Sequence, residues 1–256
     1  MLEKNYKMRN LHIIMPMAGE GSRFLNEGVT TPKPLILAKH IPFFLRAINS
    51  LNNIKASRKY SLIVRQEHID KYEIDKKMRT YFPEANIISV KKTTRGAVET
   101  CMLAKDYMEE DEGILVLDCD LEFKSTQFDE LINESLSKPI NQVDGGTLVS
   151  FRSDNPRYSY ALTNTQNMVV QTAEKEVISA YALAGAYFFS RAESFLSAAQ
   201  FLLAKEKIDK PEYYVSLLYN TLIQNGETVR LSHTDEYYSF GTPEELMNYT
   251  LLNTNK

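Results

Sequence analysis

Residues 11–37 read LHIIMPMAGEGSRFLNEGVTTPKPLIL. An apolar run over 11–17 breaks into a loop carrying Gly19, Gly21, Ser22 and Arg23, and the chain returns through Pro32, Lys33 and Pro34 to a second short apolar run. The pattern is a buried strand that delivers a glycine loop and two cations to one place. Small residues let backbone N–H groups approach an oxyanion closely, and Arg23 and Lys33 add full positive charge. Proline on both sides of Lys33 fixes the backbone and limits where its ammonium can point. A nucleoside triphosphate is the expected ligand.

Two commoner phosphate loops are set aside. GxxxxGK[ST] has no match, and the dinucleotide fingerprint GxGxxG needs a third glycine where Phe24 stands. Two glycines after a strand are by themselves an ordinary turn. Arg23 and the Pro-Lys-Pro clamp lift this loop above that reading.

The chain has 256 residues, enough for one large α/β domain or two small ones with a sizeable core. Thirty Lys and Arg against 33 Asp and Glu give a net charge of −3, which argues against nucleic acid as a partner. A small triphosphate is still compatible, because charge is screened over about 8 Å and the local cluster dominates. Cys101 and Cys119 are the two cysteines. They form no CxxC and no zinc spacing, so a reduced, cytosolic protein is expected. The apolar run at the start is broken by Pro16 and glycines well short of the ~20 residues that span a bilayer, and neither signal peptide nor membrane partner is expected.

A helix is expected from Pro42 with Phe44, Ile48 and Leu51 on one face, a strand over Tyr60–Arg65, a polar exposed helix over 68–81 and a strand over Asn86–Val90. A further helix is expected over 96–108, with Ala97, Cys101, Ala104 and Met108 on one stripe, and a buried strand over 114–118. Strands alternating with helices predict a doubly wound, mostly parallel sheet. From about residue 144, GGTLVSF, YSYALTN, NMVVQTA and SAYALAGAYFFS are β-rich, which predicts an added mixed or antiparallel layer. Helices then return over 191–207 and over 213–224, the second with Tyr214, Leu217, Leu218 and Leu222 on a stripe. Thr242-Pro243-Glu244-Glu245 reads as a capping box with proline at the first helical position. The economical division is one domain, with a nucleotide half over about 11–140 and an acceptor half over about 141–256.

Ile114-Leu115-Val116-Leu117-Asp118-Cys119-Asp120 is a strand ending in two carboxylates. Period two puts Asp118 and Asp120 on one side, and ligands of open α/β sheets sit beyond the carboxyl ends of strands. Mg²⁺ is the natural occupant, since it takes carboxylate and phosphate oxygens together. The alternative is that one of the two acids caps the following segment. The histidines form no HxxxH and no triad, and His12 reads as a core strand residue.

Gly19-Glu20-Gly21-Ser22-Arg23 followed by Pro32-Lys33-Pro34 resembles the GxGxR…PKP signature of the sugar-phosphate nucleotidyltransferases, also called sugar-nucleotide pyrophosphorylases. The likeness is nearest to members from capsule and surface-polysaccharide clusters. It implies the Rossmann-like fold of that family, with Ala18, Gly19, Gly21 and Ser22 against the nucleotide and the loop of Arg95 and Gly96 reading the base. Arg95 has the alternative of being a solvated surface charge. The resemblance makes Asp120 the metal-binding aspartate and Asp118 a second candidate. Glu174-Lys175 is similar to the Glu-Lys-Pro motif, with Glu176 in place of the proline. That similarity implies Glu174 on the acceptor's hydroxyls, Lys175 on its phosphate, and Gly185 in the strand that floors the acceptor pocket. Gly241-Thr242-Pro243-Glu244 resembles the GTPE turn. One position departs: many members carry an aspartate two residues before this glycine, and Ser239 stands there instead.

The resemblance implies attack of a phosphorylated acceptor on an NTP, with Arg23, Lys33 and Lys175 as the catalytic cations, Mg²⁺ as cofactor and pyrophosphate as product. A homo-oligomer is left open. The rivals are a glycosyltransferase, since Asp118-Cys119-Asp120 also spells DxD, and a non-catalytic nucleotide-binding homologue, supported by Ser239.

Overall fold

A computed structural model of the chain describes residues 7–205 and 208–252. Strand β1 (Leu11–Met17) lies at the centre of a nine-stranded sheet, flanked in parallel by β4 (Arg58–Arg65) and β6 (Gly113–Leu117). Outside β4 is β5 (Asn86–Val90), also parallel. β1 can be apolar along almost its whole length because both faces of the sheet are covered. Period two then divides it: Leu11, Ile13, Met15 and Met17 enter one core and Ile14 enters the other. β6 divides likewise, with Leu115 and Leu117 on the first face and Ile114 and Val116 on the second.

The helices α1 (Ser22–Asn26), α2 (Phe43–Asn49), α3 (Gln66–Tyr72), α4 (Ile74–Arg79) and α5 (Ala97–Met102) fall between these strands. The two-residue strands β2 (Leu37–Ala38) and β3 (Ile41–Pro42) pair with each other ahead of α2. The single helix expected over 68–81 is two, because Glu73 takes a left-handed φ of 50° between α3 and α4. Ile74 and Met78 are fully buried, so this segment is also less exposed than its polarity suggests. The helix expected over 96–108 ends at Met102, and a 3-10 turn over Lys105–Tyr107 follows.

β7 (Leu121–Lys124) leaves the main sheet, and α6 (Thr126–Ser137) is capped by Ser125, whose Oγ accepts from Phe128 N at 3.1 Å. The β-rich second half supplies the expected mixed and antiparallel strands, as an extension of the central sheet. β8 (Gly146–Arg152), β9 (Ser159–Thr163), β10 (Val169–Glu174) and β11 (Tyr181–Phe189) join the same sheet, β11 running antiparallel along β6. Edge-to-edge pairing extends the two existing cores instead of requiring a third. α7 (Ala192–Leu203) follows; the expected end of that helix at Lys207 lies outside the described residues. The helix expected from 213 begins only at Leu218 as α8 (Leu218–Gln224), after a 3-10 turn, and Tyr214 is extended.

The last strands close the site. β12 (Val229–His233) pairs with β8, while β13 (Glu236–Ser239) pairs with β7 so that Ser239 faces Leu121 and Phe240 N donates to Asp120 O at 2.7 Å. α9 (Pro243–Leu252) completes the described chain. Phe24, Phe43, Phe240 and Tyr249 form a small separate cluster that ties the glycine loop to this final segment, with Phe43 and Phe240 stacked at 5.1 Å. Among the described residues no helix is long and apolar enough to cross a membrane.

Candidate active site

A cavity of about 430 Å³ opens at the carboxyl ends of β1 and β6. Gly19, Gly21, Arg23 and Lys33 line it on one side; Asp118 and Asp120 lie at its floor; Glu174, Lys175 and Gly185 line it on the other. Residues separated by some 150 positions are brought together because β11, antiparallel to β6, delivers Gly185 beside Asp118, and β10 ends at Glu174.

Lys33 Nζ stands 2.5 Å from Asp120 Oδ2. Burial works against the Asp120 charge, yet the Lys33 ammonium and its hydrogen bond, with Arg23 behind, hold the carboxyl below the usual range. Burial also opposes the Lys33 charge and is outweighed by Asp120, so the lysine is held above its ordinary value. Asp118 has no such partner. Burial and then the neighbouring Asp120 charge push it up to about 7, against the pull of Lys33. The two acids are therefore unequal: near neutral pH, Asp120 is the ionised one. Arg23 Nη1 donates to Gly241 O at 3.4 Å.

Gly185 has φ 83°, and a Cβ there would lie 2.7 Å from Leu121 Cδ2 and 2.8 Å from Asp118 Oδ2. Its carbonyl accepts from Asp118 N at 2.8 Å, so this glycine shapes the floor under the acids. Glu174 is buried and accepts hydrogen bonds from Ser159 Oγ and, at 2.9 Å, from Ser216 Oγ. Burial raises its pKa, and these two hydroxyls restrain the rise. Lys175 follows with a left-handed φ of 55° and donates from Nζ to Tyr214 OH at 2.7 Å; that bond, ahead of the cost of burial, raises its pKa.

Four of the residues expected at the nucleotide stand outside the lining. Ala18 is buried, Ser22 is exposed, and neither borders the cavity. Arg95 turns to Glu99, with Nε 2.9 Å from Oε1, and covers the Tyr213 ring at 4.9 Å. Gly96 packs on protein: a Cβ there would lie 2.6 Å from Tyr213 N and 2.8 Å from Tyr213 O. Ala97, the next residue, does reach the cavity.

Sequence reasoning passed over Arg157, Tyr158, Ser159, Tyr214 and Glu245, all of which line it. Tyr214 sat in what read as a helical stripe, Glu245 in what read as a capping box, and Arg157 in a loop with no distinguishing signal. Ser239 also lines the cavity and donates to Glu245 Oε2 at 3.0 Å.

A divalent cation fits part of this arrangement. The point that a Cβ on Gly241 would occupy lies 3.2 Å from Glu245 Oε2, 3.3 Å from Asp120 Oδ2 and 3.5 Å from Ser239 Oγ, a cradle of hard oxygens. Among the described residues no group of three His, Cys, Asp or Glu side chains is arranged to hold a metal unaided. Phosphate oxygens and water would complete the coordination, as is usual for Mg²⁺.

Residues 11–249 match the family described as nucleotidyl transferase. No curated protein sequence matches the chain. Among solved structures, the chain is similar to a nucleoside-diphosphate-sugar pyrophosphorylase from Vibrio cholerae at 29% identity and a TM-score of 0.77, covering 93% of this chain and 99% of that one. It is also similar in fold to an inositol-1-phosphate CTP transferase from T. maritima, at 17% identity and a TM-score of 0.71, with 96% of each chain covered. The matched span takes in the glycine loop, both acids and the Glu174-Lys175 pair, and the chain belongs to the nucleotidyl transferase family.

Proposed function

We propose that the protein joins a nucleoside triphosphate to a sugar 1-phosphate, or a similar small phosphorylated acceptor, with release of pyrophosphate and dependence on Mg²⁺. The observation that carries the reading is one cavity with a glycine loop and two cations at one end and an acid-lysine pair at the other. The relatives described as pyrophosphorylase and CTP transferase support it, and precursors of surface polysaccharide are the product class.

An acceptor phosphate oxygen attacks the α-phosphorus, and the bond from that phosphorus to the bridging oxygen breaks, the pyrophosphate leaving with the electron pair. The nucleophile is already ionised near neutral pH, since a phosphomonoester loses its second proton at about pH 6. No general base is needed, and the protein's contribution is positioning and charge stabilisation. Arg23 faces the β,γ-phosphates as they depart. Lys33, on leaving Asp120, follows the charge at the α-phosphate. Asp120 would hold Mg²⁺, which would supply neutralisation of phosphate charge, and Asp118 is a second candidate for it. Lys175 holds the acceptor phosphate against Tyr214, and Glu174, braced by Ser159 and Ser216, accepts from the acceptor's hydroxyls.

A crossed screen of NTPs against phosphorylated acceptors with Mg²⁺, reading pyrophosphate, tests this. Pyrophosphate from one or a few pairs is the expected result. Consumption of a supplied sugar nucleotide, with no pyrophosphate from any pair, overturns it in favour of glycosyl transfer.

A further inference from the structure

We propose that Glu245 is a cation ligand of this site, sharing one divalent ion with Asp120, and that Arg157 is the counter-ion the metal must displace. The inference rests on the nucleotidyl-transfer reading above. In a capping box, an acid at the third helical position folds back on the N-cap backbone while the N-cap side chain takes its N–H. Here Glu245 N does donate to Thr242 Oγ1, at 3.2 Å. The Glu245 carboxylate goes elsewhere, into the cavity. Its Oε2 accepts from Ser239 Oγ at 3.0 Å, and its Oε1 accepts from Arg157 Nη2 and from Tyr158 OH at 3.4 Å. A glutamate in the first turn is stabilised by the helix dipole while fully solvated. Turning inward adds the cost of partial desolvation beside a second acid, a cost that Arg157 offsets here and that a divalent cation between the two acids would offset in its place.

Gly241 makes the room. Oxygens of Glu245, Asp120 and Ser239, carried by a helix, a strand end and a separate strand, surround a point that any larger residue would fill. Both acids already draw positive charge to this point. Each carboxylate holds a side-chain cation: Lys33 on Asp120 at 2.5 Å and Arg157 on Glu245. Both cations line the cavity, so a metal that displaced them would release them toward phosphate oxygens without leaving charge unpaired.

Mn²⁺ titration of the full chain, reading the free ion by electron paramagnetic resonance, tests the assignment without turnover. Glu245→Gln keeps the size of the side chain and should weaken Mn²⁺ binding about tenfold or more. Adding Ser239→Asp, which returns a carboxylate to the same point, should recover most of that loss. Arg157→Ala should tighten Mn²⁺ binding severalfold, a change that damage to the fold does not produce. Parental Mn²⁺ affinity in Glu245→Gln, a loss that Ser239→Asp leaves untouched, or weaker binding in Arg157→Ala overturns the proposal. If the parent releases pyrophosphate while Mn²⁺ binding ignores Glu245, the ligand assignment falls and the reaction stands. If the Mn²⁺ series holds but no substrate pair yields pyrophosphate, the reaction falls and the ligand assignment stands.

Discussion

Replacing Gly96 by alanine separates two reasons for a glycine in the loop before α5. If the glycine serves close approach of a base, the variant loses nucleotide affinity and keeps its stability. The structure gives a different reason. Gly96 has φ 137° and ψ −177°, a region that is essentially glycine's alone and costs another residue about 1–3 kcal/mol. A Cβ would also lie 2.6 Å from Tyr213 N and 2.8 Å from Tyr213 O. Those two atoms are fixed by hydrogen bonds to Arg95 O at 2.9 Å and from Val98 N at 3.0 Å, so neither retreats without breaking one. Overpacking of this kind adds about 1–3 kcal/mol. The stiffer unfolded chain returns only about 0.4–1 kcal/mol. The net loss is about 1–5.5 kcal/mol, against a total stability of about 5–15 kcal/mol for an ordinary domain. At about 2–4 °C per kcal/mol for a chain of this size, the melting temperature should fall by roughly 2–22 °C. Thermal and urea unfolding followed by circular dichroism, with no nucleotide present, measure it. An unchanged transition with only nucleotide affinity lost refutes the packing account.

Lys33→Ala should lower kcat by about a hundred- to a thousandfold in a folded protein, the usual cost of one preorganised charge contact; near-parental kcat in the pyrophosphate assay removes Lys33 from the reaction. Tyr214→Phe deletes the hydroxyl on Lys175 Nζ and should raise KM for the phosphorylated acceptor about three- to tenfold, with KM for the nucleotide unmoved; equal effects on both substrates contradict the division of the cavity. His68 is buried, its Nδ1 has no partner among the described residues, and burial holds its pKa down despite Glu67. Its contribution to stability is therefore intact above the unfolded value of about 6.5 and is lost as pH falls through the lowered one. The urea midpoint should drop as pH falls below about 6.5, and His68→Phe should flatten part of that drop; the same slope in the variant rules the histidine out.

The sequence by itself determined the central strand, the alternation of the parallel strands β1, β4 and β5 with helices, and the position of the glycine loop, because these are set by local periodicity and by residues that only certain backbones accept. It also singled out Lys33, Asp120, Glu174 and Lys175 as polar residues at motif positions, all four of which border one cavity. Tertiary structure decided what pattern cannot carry. The helical stripe over 213–224 starts late because Tyr213 is drawn to Arg95 and Val98 and Tyr214 to Lys175, contacts between segments over a hundred residues apart or nearly forty, while the stripe over 96–108 gives way to a 3-10 turn after Met102. Gly96 was legible as a special glycine but not as one that receives a neighbouring backbone. Glu245 was legible as a cap but not as an acid aimed at Asp120, since the pairing of β13 with β7, the step that carries α9 to the site, is a long-range event with no local signature. Charge followed the same rule: Asp118 and Asp120 are two identical acids with one residue between them, and the placement of the Lys33 ammonium on Asp120 holds that acid ionised while burial and the Asp120 charge leave Asp118 titratable near neutrality.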